Sequence, residues 1–274
     1  MNIITTAIIA TGIIGLISAV VITVASKLMF VKVDVRVAKI RNALPGANCG
    51  ACGFSSCDSY AEALAKGETA TNLCPPGGDT AFTLINEILE IAGSDGAKFV
   101  RKTAIVHCLG DNATARQKIE YIGIKTCFAA QELYGGESAC TFGCIGYGDC
   151  VRVCPDDAIC VEDGLVRFDP RKCSGCGVCM EVCPTGVITV QLAPVTVAVK
   201  CKNTERGRVV KDKCTKGCIG CTKCVKECPF EAITVENSLA EINYEKCTGC
   251  AKCVAVCVKK CLVKVENAEE VTVL

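Results

Sequence analysis

The chain opens on an uncharged, mostly apolar run. From Ile3 to Ser26 no charged side chain occurs, and Ile, Ala, Val, Leu and Gly dominate. A run of that length predicts one membrane-spanning helix. Lys27 and Lys32 follow it, while the leading segment has no basic residue. By the positive-inside rule, the rest of the chain then lies on the cytoplasmic side of the cell membrane, in a single-pass arrangement. A cleaved signal peptide is the competing reading, but it needs a basic start and a shorter apolar core. Gly12 and Gly15 read as small residues for helix packing.

Beyond residue 33 the apolar positions come in short periodic groups. Val35–Ala43 predicts a helix ended by the turn Leu44-Pro45-Gly46. Asp58 opens a second helix, Ser59–Ala65, closed by Gly67, and Ala81–Ala92 is a third, with a core-facing stripe of Ile85, Ile88 and Leu89. Thr103–Val106 has strand character and Ala129–Leu133 helical character. Past residue 140 short β-like runs alternate with cysteine loops: Ala158–Val161, Val187–Val190, Ala232–Val235 and Leu262–Val265. The repetition predicts two similar modules. The expected division is 1–27 anchor, 28–100 helical domain, 101–139 connecting segment, 140–192 first module, 193–213 linker and 214–274 second module.

Composition changes the picture at one point. The 274 residues include 26 cysteines but no Trp, and aromatics are only 5%. Such cysteine density fits a disulfide scaffold in a small secreted domain. Here most cysteines stand two or three residues apart in tight loops, which suits metal centres instead. Thiolate ligands need a reducing compartment, and metal centres must then supply much of the folding energy. Apo-protein is expected to be largely unfolded. Thirty Lys and Arg against 29 Asp and Glu leave a net charge of +1, with no pull toward nucleic acid.

Four cysteines hold an iron–sulfur cubane: three from one tight loop, and a fourth further on beside a proline. In two-cluster ferredoxins that fourth cysteine serves the other cluster. The last module matches this closely. Crossing the fourth ligands gives one cluster on Cys218, Cys221, Cys224 and Cys257, and another on Cys247, Cys250, Cys253 and Cys228. Cys257 is followed by Val258 where proline is usual. In the first module Cys173, Cys176 and Cys179 pair with Cys154. The remaining set is irregular, because Tyr147 stands where the middle cysteine of the loop belongs. Cys140 is the expected substitute, giving a cluster on Cys140, Cys144, Cys150 and Cys183, with a three-iron cluster as the alternative. Cys49, Cys52, Cys57 and Cys74 form an isolated group, for which zinc is the alternative ion.

Six cysteines remain: Cys108, Cys127, Cys160, Cys201, Cys214 and Cys261. They read either as small buried hydrophobes or, for Cys108, Cys127, Cys201 and Cys214, as a sixth four-thiolate site. The pairs Cys108/Cys127 and Cys201/Cys214 each precede a Gly-Cys-Ile-Gly stretch, Gly143–Gly146 and Gly217–Gly220. His107, the only histidine, reads as structural. No dinucleotide fingerprint, phosphate loop or nucleophile–base pair is present, so no catalytic residue is expected and the chemistry is one-electron transfer.

The uncharged first helix, the group Cys49-Gly50-Ala51-Cys52-Gly53-Phe54-Ser55-Ser56-Cys57…Cys74-Pro75 and the paired modules together resemble the B subunits of the Rnf complex. The resemblance spans nearly the whole chain. It implies an electron-transfer subunit of a membrane-bound ferredoxin:NAD⁺ oxidoreductase that couples electron flow to Na⁺ or H⁺ translocation. It also implies soluble ferredoxin and the other Rnf subunits as partners, with flavin and NAD bound elsewhere. The expected fold is α+β: one N-terminal transmembrane helix, a small helical four-cysteine domain and two bacterial-type two-cluster ferredoxin modules. Five [4Fe–4S] clusters are expected, with six as the alternative count. An electron-input subunit of a heterodisulfide-reductase-like assembly and a zinc-binding structural protein are the competing functions.

Overall fold

The computed structural model describes residues 3–28, 34–91, 102–192 and 195–265. Lys32 and the expected helix end at Ala92 lie outside the described residues. The leading apolar run forms α1 (Ile3–Leu28), which carries exposed Ile, Leu and Val side chains. Among the described residues no helix is long and apolar enough to cross a membrane, which corrects the expected transmembrane anchor.

Three helices form the first cysteine domain: α2 (Val35–Ala43), α3 (Cys57–Lys66) and α4 (Gly78–Ile88). Asp34 caps α2 by accepting from the Arg36 amide. The second helix starts just ahead of its expected position, because Ser56 and Ser59 make a reciprocal capping box and outcompete Asp58. Gly67 ends it in the left-handed conformation, as its position predicts. Ile40, Tyr60, Leu64 and Ile85 fill the space between the three helices. Tyr60 is buried but satisfied, its hydroxyl donating to the Ala70 carbonyl at 2.8 Å.

The remaining elements build two modules of like plan. The first contains β1 (Lys102–Val106), α5 (Cys127–Tyr134), α6 (Asp149–Arg152), β2 (Ile159–Glu162), β3 (Leu165–Phe168), α7 (Val178–Glu181) and β4 (Ile188–Leu192). The second contains β5 (Val197–Val199), α8 (Gly207–Lys213), α9 (Lys223–Glu227), β6 (Ile233–Glu236), β7 (Leu239–Ile242), α10 (Lys252–Ala255) and β8 (Leu262–Lys264). Each module has an inner hairpin, β2–β3 or β6–β7. Each also has an outer antiparallel pair, β1–β4 or β5–β8, whose first strand lies upstream of the cysteine loops. Ferredoxin-like folding thus uses strands from segments 101–139 and 193–213.

The inner hairpins turn on Asp163-Gly164 and on Asn237-Ser238, all four residues at positive φ. That is the two-residue turn whose twist matches antiparallel strands. Gly146 and Gly220 press against these turns. A Cβ on Gly220 would lie 2.8 Å from the Ser238 carbonyl oxygen, and one on Gly146 would overlap Gly164. The closing glycine of each Gly-Cys-Ile-Gly stretch is therefore a packing requirement. His107 joins the modules. Its Nδ1–H donates to the Val199 carbonyl and its Nε2 accepts from Thr189 Oγ1, both at 2.7 Å. Burial holds its pKa below the usual histidine range, in keeping with a neutral ring.

Candidate iron–sulfur sites

Four helices of the modules are short pieces of four or five residues, and each carries a buried cysteine: Cys150 on α6, Cys179 on α7, Cys224 on α9 and Cys253 on α10. Each is entered through a left-handed residue, Gly148, Gly177, Thr222 or Ala251, which folds the loop back so that its sulfurs converge. The two cores are themselves built around cysteine: Cys150, Cys173 and Cys179 pack with Val106, Leu165 and Ile188, and Cys218, Cys224 and Cys253 with Val199, Ile233 and Leu262.

Cys49, Cys52, Cys57 and Cys74 line one cavity of about 320 Å³ between the loop after α2, the first turn of α3 and the Cys74-Pro75-Pro76 stretch. Cys57 is the first residue of α3, and its amide donates to Asn48 Oδ1 at 2.9 Å. Burial pushes the Cys74 thiol up to about 11, with Cys52, Cys57 and Cys49 adding to the rise against the Gly77 amide. A second group is Cys154, Cys173, Cys176 and Cys179. Burial and the charges of the other three raise the Cys179 thiol to about 12. Cys228, Cys247 and Cys253 are grouped in the same way in the second module, with Cys250 exposed beside them in the loop.

The irregular half of the first module differs from the spacing argument. Cys144, Cys150 and Cys183 share a cavity of about 340 Å³ with Cys127 rather than Cys140. Tyr147 explains the difference. Its ring lies 6.1 Å from Tyr121, and Lys125 donates to its hydroxyl at 3.3 Å. The Phe128 amide also donates to Asp149 Oδ2, tying the start of α5 to α6. The residue that replaces a cysteine thus docks the segment that delivers another one. Burial and the adjacent Cys127 push the Cys150 thiol up to about 12. Cys140 lines a separate cavity with Cys108, Cys201 and Cys214; sequence reasoning paired Cys127 with that set.

In the second module Cys218, Cys221, Cys224 and Cys257 line a cavity of about 360 Å³, joined by a fifth cysteine, Cys261. Cys261 is buried, with its sulfur 3.6 Å from that of Cys257. Hydrogen bonds from Cys261 hold both Cys218 and Cys257 below the usual thiol range, and the same contacts drive Cys261 upward. Cys261 thus sits beside the ligand set as a fifth sulfur in hydrogen-bond contact with Cys257. The first module has Val187 four residues past Cys183, where the second has Cys261 four past Cys257. Cys261→Val is accordingly expected to leave iron content unchanged and to lower the reduced-to-oxidised ratio of one cluster about fivefold at fixed solution potential. Redox titration followed by electron paramagnetic resonance reads that shift, and lost iron would make Cys261 a ligand instead. Cys160 is exposed on β2 and lines none of these cavities.

All these donor sets are thiolate. Backbone amides point at their sulfurs in matching places: the Ala158 amide donates to Cys154 and the Ala232 amide to Cys228, both at 3.4 Å. Among the described residues no three His, Cys, Asp or Glu side chains converge on a point for a single ion. A lone zinc at ~2.3 Å would need its sulfurs within about 4 Å of one another. The residues fit iron–sulfur clusters, which are several ångströms across and take soft thiolates.

Comparison with known proteins agrees. A family model described as an Fe-S cluster matches residues 44–76, a 4Fe-4S binding domain matches 166–189, and a 4Fe-4S dicluster domain matches 208–258. The chain is 42% identical to the B subunit of the Na⁺-translocating ferredoxin:NAD⁺ oxidoreductase complex of Acetobacterium woodii, over 86% of this chain and 70% of that one. It is 38% identical to the B subunit of the proton-translocating ferredoxin:NAD⁺ oxidoreductase complex of Clostridium ljungdahlii, over 89% of this chain and 85% of that one. Identity to the B subunit of the ion-translocating oxidoreductase complex of Methanosarcina acetivorans is 36%, over 85% and 87%. With this likeness along most of its length, the chain belongs to the family of Rnf B subunits, the iron–sulfur electron-transfer components of ion-translocating ferredoxin:NAD⁺ oxidoreductases.

Proposed function

We propose that this chain takes electrons singly from reduced ferredoxin and passes them to the other subunits of its complex through [4Fe–4S] clusters on five cysteine sets. These are Cys49/Cys52/Cys57/Cys74; Cys154/Cys173/Cys176/Cys179; Cys127/Cys144/Cys150/Cys183; Cys218/Cys221/Cys224/Cys257; and Cys228/Cys247/Cys250/Cys253. When bound, the clusters supply reversible one-electron storage. The protein buries them, donates hydrogen bonds to their sulfurs and holds neighbours close.

The observation that carries this reading is the order of the sets. Cys150 and Cys179 are buried in one core, and Cys224 and Cys253 in another, so the two sets within each module adjoin. Spatial neighbours thus follow a row, as a conduit requires. Ion translocation belongs to a membrane-associated complex, and in this reading the cluster modules face its cytoplasmic side, where thiolates stay reduced.

The test is anaerobic mixing of the full chain with limiting reduced ferredoxin. Visible absorbance should bleach with the electrons added, and in the assembled complex NAD⁺ reduction should follow. A chain that carries iron and sulfide yet accepts no electrons from ferredoxin would sink the proposal.

A further inference from the structure

The row just described breaks between Cys144 in the first module and Cys218 in the second. A cysteine-lined cavity of about 440 Å³ lies at that break. It is lined by Cys108, which follows β1, by Cys140, by Cys201, which follows β5, and by Cys214, at the end of α8. Each module contributes two of the four. Isolated bridges such as Ala115 with Cys214, together with the Arg116 amide donating to the Lys213 carbonyl, close the modules around it.

The sulfurs face one space. A Cβ placed on Gly110 would lie 3.5 Å from Cys108 Sγ and 3.7 Å from Cys214 Sγ. One on Gly143 would lie 3.5 Å from Cys108 Sγ and 3.8 Å from Cys140 Sγ. Both pairs are therefore within roughly 7 Å, too wide a limit to require a single ion and suited to a cubane. Every sulfur also has a donor. The Gly110 amide donates to Cys108 and the Cys218 amide to Cys201, each at 3.3 Å. The amides of Lys216 and Gly217 serve Cys214. Asn203, 1% exposed, donates from Nδ2 to Cys140 Sγ at 3.4 Å. Glu205 holds that amide, its Oε2 accepting at 3.0 Å, and Lys213 in turn holds Glu205. A buried carboxamide aimed at a sulfur is costly to order without a charge to serve.

We propose that Cys108, Cys140, Cys201 and Cys214 bind a sixth [4Fe–4S] cluster that carries electrons between the two ferredoxin modules. The inference rests on the five-set reading above and supplies its missing link. Its neighbours are joined to it directly: the amide of Cys144, a ligand in the first module, serves Cys108, and that of Cys218, a ligand in the second, serves Cys201. Lys200 lines the same cavity.

The experiment counts metal and sulfide in the anaerobically purified full chain, beside a Cys108→Ser/Cys214→Ser double variant. The parent is expected to hold about 24 irons with equal sulfide and the double variant about 20. Equal iron in both, or the loss of one zinc without sulfide, would overturn the sixth cluster while leaving the other five. A parent with no sulfide at all would instead overturn the electron-relay reading itself. If the double variant loses all its iron through misfolding, Asn203→Leu decides, since it keeps every thiolate. Iron should then be unchanged, with the reduced-to-oxidised ratio of one cluster falling about tenfold at fixed potential. No change in any cluster's potential would overturn the assignment.

Discussion

Replacing Cys127 with alanine is expected to cut electron passage through the chain by about 100-fold or more. Losing a partner outside the ligand shell already costs roughly 10–100-fold at metal sites, so losing a ligand should reach the upper end. Cys127 stands outside every regular motif, yet it lines the cavity of Cys144, Cys150 and Cys183. Iron should fall by between one atom, if a three-iron remnant survives, and about four. Cys160→Ala is the control, because that exposed side chain lines none of the cysteine cavities, and it should change neither iron nor rate. Iron analysis with ferredoxin-driven reduction of the assembled complex checks both. Full activity in the Cys127 variant would return the fourth ligand to another residue.

Removing iron should have a still broader effect on the fold. The cores of both modules consist largely of cysteine side chains and small aliphatics. The sheets among the described residues are four separate two-stranded pairs, a size only marginally stable in water. A structural metal site contributes on the order of 10 kcal/mol, comparable with the whole stability of a domain. An ordinary cysteine thiol, with a pKa of about 8.5, is already mostly protonated at neutral pH once the metal is gone. Chelation under anaerobic conditions should therefore abolish most strand signal in far-ultraviolet circular dichroism at room temperature. Restored iron and sulfide should recover it, more slowly at mildly acidic than at mildly alkaline pH, since each thiol must release its proton first. A native spectrum after complete iron removal would show that ordinary packing suffices.

The first-domain helices were readable because their stops are local. The Leu44-Pro45-Gly46 turn and Gly67 end helices wherever the rest of the chain lies. The Asp163-Gly164 hairpin carried an equally local signal, a dipeptide suited to a two-residue turn, although the strand that follows it was not expected. The leading apolar run was read as a membrane span, and helix α1 does form there. Among the described residues, however, no helix has the length and apolarity to cross a membrane.

What the sequence determined by itself was the ligand type and the loop groups, because three sulfurs in one tight turn must meet whatever surrounds them. It also held the family, in ordered cysteine motifs, and the similarity to the relatives runs along most of the chain. What only the tertiary structure decided was the company of the scattered cysteines. Cys127 and Cys140 stand thirteen positions apart in one connecting stretch, and spacing assigned them the other way round. Their places depend on Tyr147 stacking near Tyr121 and on Asn203 reaching Cys140 from another module. Contacts between segments far apart in sequence leave no periodic trace, so a long-range thiolate set becomes visible only when the strands of both modules have closed around it.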